Sequence, residues 1–192
     1  MTTNETESLI KFFDTIGKLK LEKRKGWIER GVQNPESVAD HSQRLSVMAM
    51  VFAKKLGLDE NKALKLAVVH DLPESIAGDT VTRIREELQK IPNHEKREKE
   101  EKALGELCEM LDEDNAKDLK ERWFEFEEKK SKEARLVYEL DRLEAIFQAL
   151  EYEREGNFKV SLQEFYDYAD ARLKTPELRQ VFKELMEKRE KK

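Results

Sequence analysis

The chain has 192 residues, of which 41 % are charged and 38 % are hydrophobic, with only seven glycines and four prolines. A net charge of −5 argues against a nucleic-acid polymer as partner, because binding one requires a basic face. The apolar residues recur with helical spacing, so the composition predicts one all-α domain with heavily solvated outer faces.

Cysteine usage and hydropathy indicate the compartment. The single cysteine, Cys108, excludes an internal disulfide framework and is typical of a reducing environment. No apolar run reaches the length of a membrane span, and residues 1–20 lack a signal-peptide pattern. We therefore expect a cytoplasmic protein with no membrane partner.

The first elements in chain order are a helix and a basic segment. Apolar spacing predicts an amphipathic helix over residues 5–20. Residues 21–27 interrupt that pattern with several cations around Gly26 and Trp27. Two interpretations are open: a loop whose tryptophan fills the core, or an arm over a pocket. The arm would offer charge to an anion and an aromatic face to a ring or sugar.

The second predicted helix carries a histidine on its apolar face. Asn34 and Pro35 predict its start, as N-cap and first helical residue, and Gly57 predicts its end. His41 falls within its apolar stripe. A histidine there is either a core residue with a buried hydrogen-bond partner or a ligand.

The third helix, capped by Asp59, ends at His70-Asp71. An imidazole and a carboxylate that close a buried stretch are costly unless something compensates them, and a divalent cation would do so. Adjacent helical residues point about 100° apart, so both can bind one ion only at a helix end or kink. Pro73 predicts such a break. The alternative is a core histidine beside a solvated aspartate.

The middle of the chain is strongly charged. Thr80 or Thr82 is a candidate cap for a helix that reaches about residue 90. The charged run at 96–102 is interpreted as a solvated helix face, and His94 as a surface histidine. Two helices are predicted here, over residues 94–112 and 115–130.

Ser131 is predicted to cap the longest helix, about 131–154, which Gly156 closes. Asp141 lies on an inward-looking face of this helix, where an unpaired carboxylate is costly. Thr175 and Pro176 predict the start of a final helix.

Three helices thus each bring an inward polar group, and together they offer two imidazoles and two carboxylates: His41, His70, Asp71 and Asp141. This set suits a divalent metal with positions left open for water and substrate. The pattern does not distinguish Co, Mn, Zn, Ni, Fe or Mg. A thiolate-bound structural zinc is excluded by the single cysteine.

The order of these four residues resembles that of the HD-domain metal-dependent phosphohydrolases, whose ligands follow the pattern H…HD…D on a helical bundle. Further motifs make the chain similar to the 5′-deoxynucleotidase branch of that family. They are Gly26-Trp27, Glu36-Ser37-Val38-Ala39-Asp40-His41-Ser42, His70-Asp71-Leu72-Pro73-Glu74 and Gly78-Asp79.

The resemblance implies a role for each matching residue. The metal ligands would be His41, His70, Asp71 and Asp141. Glu74 resembles the acidic residue that transfers a proton, and Asp79, a second candidate catalytic residue, matches a sugar-contacting position together with Trp27. The family's phosphate-binding arginine directly precedes its tryptophan, and this sequence departs from that pattern. Its phosphate-binding candidates are Arg24, Lys25 and Arg30.

The expected protein is a single HD domain over residues 1–192, with a core at about 9–155 and C-terminal helices at about 160–190 packed on it. The expected reaction is hydrolysis of deoxyribonucleoside 5′-monophosphates. Alternatives are another phosphoester, such as a cyclic or signalling nucleotide, or a non-catalytic nucleotide-sensing module. A small-molecule nucleotide and a second copy of the chain, forming a homodimer, are the expected partners.

Overall fold

The computed structural model describes residues 1–81 and 90–191. Within these ranges the fold is all-α, as predicted, and the only pairing of extended backbone is one bridge between Lys23 and Ser37. A single 3₁₀ turn, Lys18–Lys20, follows the first helix. The α-helices are α1 (Thr3–Gly17), α2 (Lys25–Glu29), α3 (Val38–Lys55), α4 (Glu60–Val69), α5 (Glu74–Ala77), α6 (Asn93–Cys108), α7 (Glu113–Glu127), α8 (Lys132–Glu155), α9 (Gln163–Arg172) and α10 (Pro176–Glu190).

Helix α3, which carries His41, begins later than the sequence predicted. Its N-cap is Ser37, whose side chain accepts a hydrogen bond from the Asp40 amide, while the Asp40 carboxylate accepts one from the Ser37 amide. Asn34 instead adopts a left-handed conformation with φ of 50°. The predicted start at Asn34 and Pro35 is therefore wrong, because a complete capping box three residues later satisfies the helix terminus better.

The predicted break after His70 is confirmed. Asp59 caps α4 by accepting a hydrogen bond from the Lys62 amide, and the helix ends at Val69 with His70 as its C-cap. Pro73 is then the N-cap of the short helix α5. Asp71 therefore lies in the turn between two helices, where its side chain is freed from helical spacing.

Helix α8 forms the centre of the molecule. Ser131 caps it and Gly156 closes it in a left-handed conformation, both as predicted. Helices α3, α4, α9 and α10 pack against it. The largest apolar core spans these elements and includes Leu45, Leu66, Leu140, Leu143, Ile146, Leu162, Leu178 and Phe182.

A smaller apolar cluster joins α1, α6 and α7 through Phe12, Leu104, Leu107 and Trp123. His94 is exposed, as predicted. The run at 96–102 is not a uniformly solvated face, however, because Glu100 is buried and Lys96 is only partly exposed.

The predicted helix from Thr80 or Thr82 to about residue 90 falls mainly on residues 82–89, outside the described residues. The expected loop at 21–27 is partly wrong, since Trp27 belongs to helix α2. No helix in the two described ranges combines the length and apolar character that crossing a membrane requires.

Candidate metal centre and substrate cavity

The structure brings all four predicted metal ligands together. His41 from α3 is fully buried and His70 at the end of α4 is 4 % exposed. His41 Nε2 lies 3.3 Å from Asp141 Oδ1 and 4.0 Å from Asp71 Oδ2. His70 Nε2 lies 3.0 Å from Asp71 Oδ2. Ligand atoms of His41, His70 and Asp71 are thus close enough together to hold one ion, and Asp141 from α8 lies beside His41.

The two imidazoles present bare nitrogens at this point. His41 Nδ1 pairs with Glu144, and His70 Nδ1 is 2.8 Å from the Ala67 carbonyl oxygen. Each Nε2 is buried without a hydrogen-bond partner among the described residues. Two buried, unpartnered imidazole nitrogens beside carboxylates fit a divalent cation, since the occupied Nδ1 leaves Nε2 as the metal-binding atom.

The charge at the centre also fits a cation. Burial raises the pKa of Asp71, but His70 and Arg24 outweigh burial and hold that pKa well below its usual range. Burial and Arg24 lower the pKa of His41, whereas Glu144 and Asp141 together raise it to about 10. The carboxylates that attract this proton would equally attract a metal ion.

A second layer of side chains supports His41, and sequence reasoning missed it. Glu144 is fully buried on α8, one turn after Asp141. Its carboxylate accepts from the Nε of Arg44 at 2.7 Å as well as pairing with His41. Arg44 also donates to Glu151 at 2.7 Å. This chain of contacts fixes the orientation of the His41 ring.

We expect Glu144→Gln to weaken metal binding by about tenfold to a hundredfold, the usual effect of losing a partner behind a metal ligand. Glu151→Gln is the matched control, because Glu151 shares Arg44 whereas the carboxylate that pairs with His41 Nδ1 is that of Glu144. Calorimetric titration with a divalent ion gives the affinities, and a melting curve separates lost positioning from lost folding. Equal metal affinities in the two variants would remove the positioning role of Glu144.

A cavity opens beside the metal ligands. Its volume is about 950 Å³, including the part continuous with solvent, and its lining includes Asp71, Asp141, Glu74 and Asp79. Glu74, the first residue of α5, is 4 % exposed. Burial, followed by repulsion from Asp71 and Asp79, raises the pKa of Glu74 well above its ordinary value.

Asp79 lines the cavity and also forms hydrogen bonds with the basic segment. Gly78 turns the chain with a φ of 74°, a conformation that favours glycine. The Asp79 carboxylate then accepts a hydrogen bond from the Lys25 amide at the start of α2, and its own amide donates to Glu22 at 2.9 Å. This contact links the turn after α5 to the basic segment.

The three predicted phosphate-binding cations occupy different places. Arg24 lines the cavity, with Nη1 3.4 Å from Asp71 Oδ2. Arg30 also lines it but is paired with Glu164 of α9. Lys25 is half-exposed and its ammonium donates to the Asp79 carbonyl, outside the cavity lining.

Trp27 forms part of the cavity wall while being almost fully buried, at 1 % exposure. Its ring stacks on Phe165 of α9 at a centroid distance of 4.0 Å, and its Nε1 donates to Glu36 at 2.8 Å. Tyr152 packs against it edge-on. Both sequence interpretations are therefore partly correct, because this side chain fills the core and faces the pocket.

Several lining residues were absent from the sequence-based site. Arg142, adjacent to Asp141, pairs with it and lies over the Tyr138 ring. Phe165 and Tyr168 come from α9, and Lys96 comes from α6. Helical periodicity marks such residues only as inward or outward, so nothing in the sequence connected them with His41.

Comparisons with known proteins identify the family of this chain. The HD domain family model matches residues 16–181. The chain is 42 % identical over 178 residues to the 5′-deoxynucleotidase HDDC2 of Homo sapiens, covering 93 % of this chain and 84 % of that protein. The chain belongs to the HD domain family. The resemblance inferred from the sequence motifs is confirmed.

Solved structures share the fold. The PH0347 protein of Pyrococcus horikoshii OT3 superposes with a TM-score of 0.74 at 31 % identity, covering 92 % of this chain and 97 % of that one. A protein of Magnetospirillum magnetotacticum MS-1, described as a predicted metal-dependent phosphohydrolase, gives a TM-score of 0.70 at 23 % identity. That match covers 96 % of this chain and 92 % of its own, and at this identity it shows a shared fold alone.

Proposed function

We propose that this HD-domain protein is a metal-dependent 5′-deoxynucleotidase, which hydrolyses deoxyribonucleoside 5′-monophosphates to deoxynucleoside and phosphate. The observation that carries the proposal is the pair of unpartnered, buried Nε2 atoms of His41 and His70. They lie beside Asp141 and Asp71, two carboxylates that line a cavity together with Glu74. The names of relatives such as HDDC2 support the reaction and the substrate class.

In this proposal the ion is held by His41, His70, Asp71 and Asp141. A divalent metal supplies Lewis-acid charge to the phosphoryl group and lowers the pKa of a water ligand. The metal is any of Co, Mn, Zn, Ni, Fe or Mg, and adding each to stripped protein identifies the effective ones. The protein's own contribution is to bind, orient and protonate the substrate.

Glu74 is proposed as the acid that protonates the leaving group. Burial and the carboxylates of Asp71 and Asp79 raise its pKa and so favour its protonated form, and its Oε2 has no hydrogen-bond partner among the described residues. A proton held on Oε2 can be given to the 5′ oxygen of the departing nucleoside. Such a positioned acid contributes about 10²- to 10⁴-fold in rate.

Of the three predicted cations, we propose Arg24 for the phosphate. It lines the cavity next to Asp71, whereas Arg30 is engaged with Glu164 and Lys25 braces the Asp79 turn. Asp79 is proposed to accept from the 3′-hydroxyl of the sugar.

Trp27 is proposed to occupy the space that a 2′-hydroxyl would need. Trp27→Ala would leave a core cavity costing about 3–5 kcal/mol, so Trp27→Phe is the better probe. We expect wild-type protein to favour deoxyribonucleotides in kcat/KM, and Trp27→Phe to narrow the ratio chiefly by raising the ribonucleotide rate. Deoxyadenosine and adenosine monophosphates form the matched pair. Equal wild-type rates for the pair would end the deoxyribose claim and leave phosphatase activity standing.

The overall proposal is tested by phosphate release from a panel of phosphoesters, using metal-stripped protein to which single metals are returned. Deoxyribonucleoside monophosphates should be hydrolysed fastest. Turnover confined to cyclic or signalling nucleotides would favour the alternative function, a phosphohydrolase that acts on another phosphoester. Nucleotide binding without turnover under any metal would favour a sensing module.

We propose further that residues 1–192 act as one domain, with a core at about 9–155 completed by the helices at about 160–190. Support comes from α9, whose Phe165 and Tyr168 line the cavity.

A homodimer is supported by exposed apolar side chains on one face of α3, namely Val47, Met50 and Val51. Sedimentation velocity tests this oligomeric state. A cytoplasmic location is supported by the free thiol of Cys108, which suits a reducing compartment.

A further inference from the structure

Lys96 is a cation of the cavity wall that no sequence motif indicated. It lies in the first turn of α6, which packs against α5, and it lines the same cavity as Glu74 and Asp71. Its side chain is 23 % exposed, whereas Lys99 and Lys102 on the same helix are exposed. Its position in the cavity is thus a feature of one residue and not of the charged run.

The ion pairs around the cavity distinguish Lys96 from the other lining cations. Arg24, Arg30 and Arg142 each contact a carboxylate that itself lines the cavity: Asp71, Glu164 and Asp141 respectively. Within the described part of the chain, the carboxylate that pairs with Lys96 is that of Glu100, one helical turn away at 3.4 Å and outside the cavity lining. Glu100 therefore contacts the Lys96 ammonium from the side away from the cavity.

Glu100 also neutralises Lys96 incompletely. Burial raises the pKa of Glu100 to about 7, although Lys96 acts against that increase. A carboxyl with such a pKa is only partly ionised near neutrality. The ammonium consequently keeps much of its charge for a ligand on the cavity side.

A phosphate monoester brings negative charge into a cavity already lined by Asp71, Glu74, Asp79 and Asp141. Binding it there requires positive charge placed in advance, and a water-poor site strengthens the effect of each such charge. A lysine ammonium suits this task, because it is a compact charge with three donors.

We propose that Lys96 binds the substrate's phosphate group, with its ammonium donating to a non-bridging oxygen on the Glu74 side of the cavity. This inference rests on the proposed function. Lys96 and Arg24 then contact the phosphate from two elements distant in sequence, α6 and the segment before α2. Glu100 is a positioning residue that orients Lys96.

The test is calorimetric titration of Mn²⁺-loaded protein with inorganic phosphate. Lys96→Met should weaken phosphate binding about tenfold to a hundredfold, the usual loss for one charged hydrogen bond. Lys99→Met is the matched control, because it removes the same charge from the solvent face of the same helix. Deoxyadenosine, which lacks the phosphate, should bind both variants alike, and Lys96→Arg should restore part of the affinity.

Phosphate affinity within about twofold in Lys96→Met and Lys99→Met would overturn the assignment, as would wild-type protein that binds no phosphate. If Lys96→Met does not fold, Lys96→Gln keeps the hydrogen-bonding capacity without the charge and is judged by the same comparison. The binding assay is independent of turnover. If phosphate binding depends on Lys96 but the protein hydrolyses no nucleotide, the proposed nucleotidase function is refuted. The assignment of Lys96 to phosphate binding is then supported.

Discussion

Asp71→Asn is expected to abolish both metal retention and phosphate release. The substitution keeps the side-chain volume but removes the carboxylate that lies 3.0 Å from His70 Nε2 and 4.0 Å from His41 Nε2. Without it, two imidazoles and Asp141 remain, and Arg24 loses its partner in the cavity. The loss should far exceed the roughly tenfold to hundredfold effect of outer partners such as Glu144.

Elemental analysis after dialysis gives the metal content of each variant, and phosphate release gives the rate. Asp114→Asn serves as the control, since Asp114 is an exposed carboxylate at the start of α7. A full metal complement in Asp71→Asn, or wild-type turnover, would refute the assignment of Asp71 as a ligand.

Glu74→Gln should keep the ion and lose about two to four decades of kcat, the range for a positioned acid or base. The amide preserves the shape of the buried side chain but has no proton to give to a leaving alkoxide. Like the protonated carboxyl, it places no charge beside Asp71 and Asp79. The variant is therefore expected to fold about as stably as the wild type.

Glu60→Gln, an exposed glutamate in the first turn of α4, is the control for Glu74→Gln. Metal content and kcat are measured on the same preparations. Parallel loss of metal would move Glu74 into the set of ligands. A rate within a few-fold of wild type would exclude it from the proton transfer.

The sequence was sufficient to predict most of the long helices and to single out four polar residues that the fold brings close together. Ser131 and Asp59 cap their helices as predicted because capping depends on side chains within three residues. His41, His70, Asp71 and Asp141 were recognised because each is a polar residue at an apolar position, and burial there requires compensation.

The start of α3 was predicted wrongly because Asn34-Pro35 has the composition of a helix start. The helix begins after Ser37 instead, where Asp40 completes a capping box and the Glu22 carbonyl accepts a hydrogen bond from the Val38 amide at 2.9 Å. This hydrogen bond joins residues that are 16 apart in sequence, and helical periodicity does not predict it.

The support of the site lay beyond sequence patterns because it depends on tertiary contacts. Glu144 and Lys96 read as ordinary charges in charged helices, yet one is fully buried behind His41 and the other lines the cavity. Phe165 stacks on Trp27 across 138 residues of sequence. The packing of α3 on α8, and of α6 and α9 around the cavity, reveals these roles.

Metal-dependent hydrolysis is tested most directly by phosphate release from deoxyadenosine monophosphate. The release is measured with metal-stripped protein, before and after the return of a stoichiometric divalent ion. If hydrolysis depends on the metal, the stripped protein shows no turnover and the return of at least one metal restores it. Asp71→Asn is expected to show no such recovery. Turnover that is indifferent to metal removal, or none with any metal, would contradict metal-dependent hydrolysis.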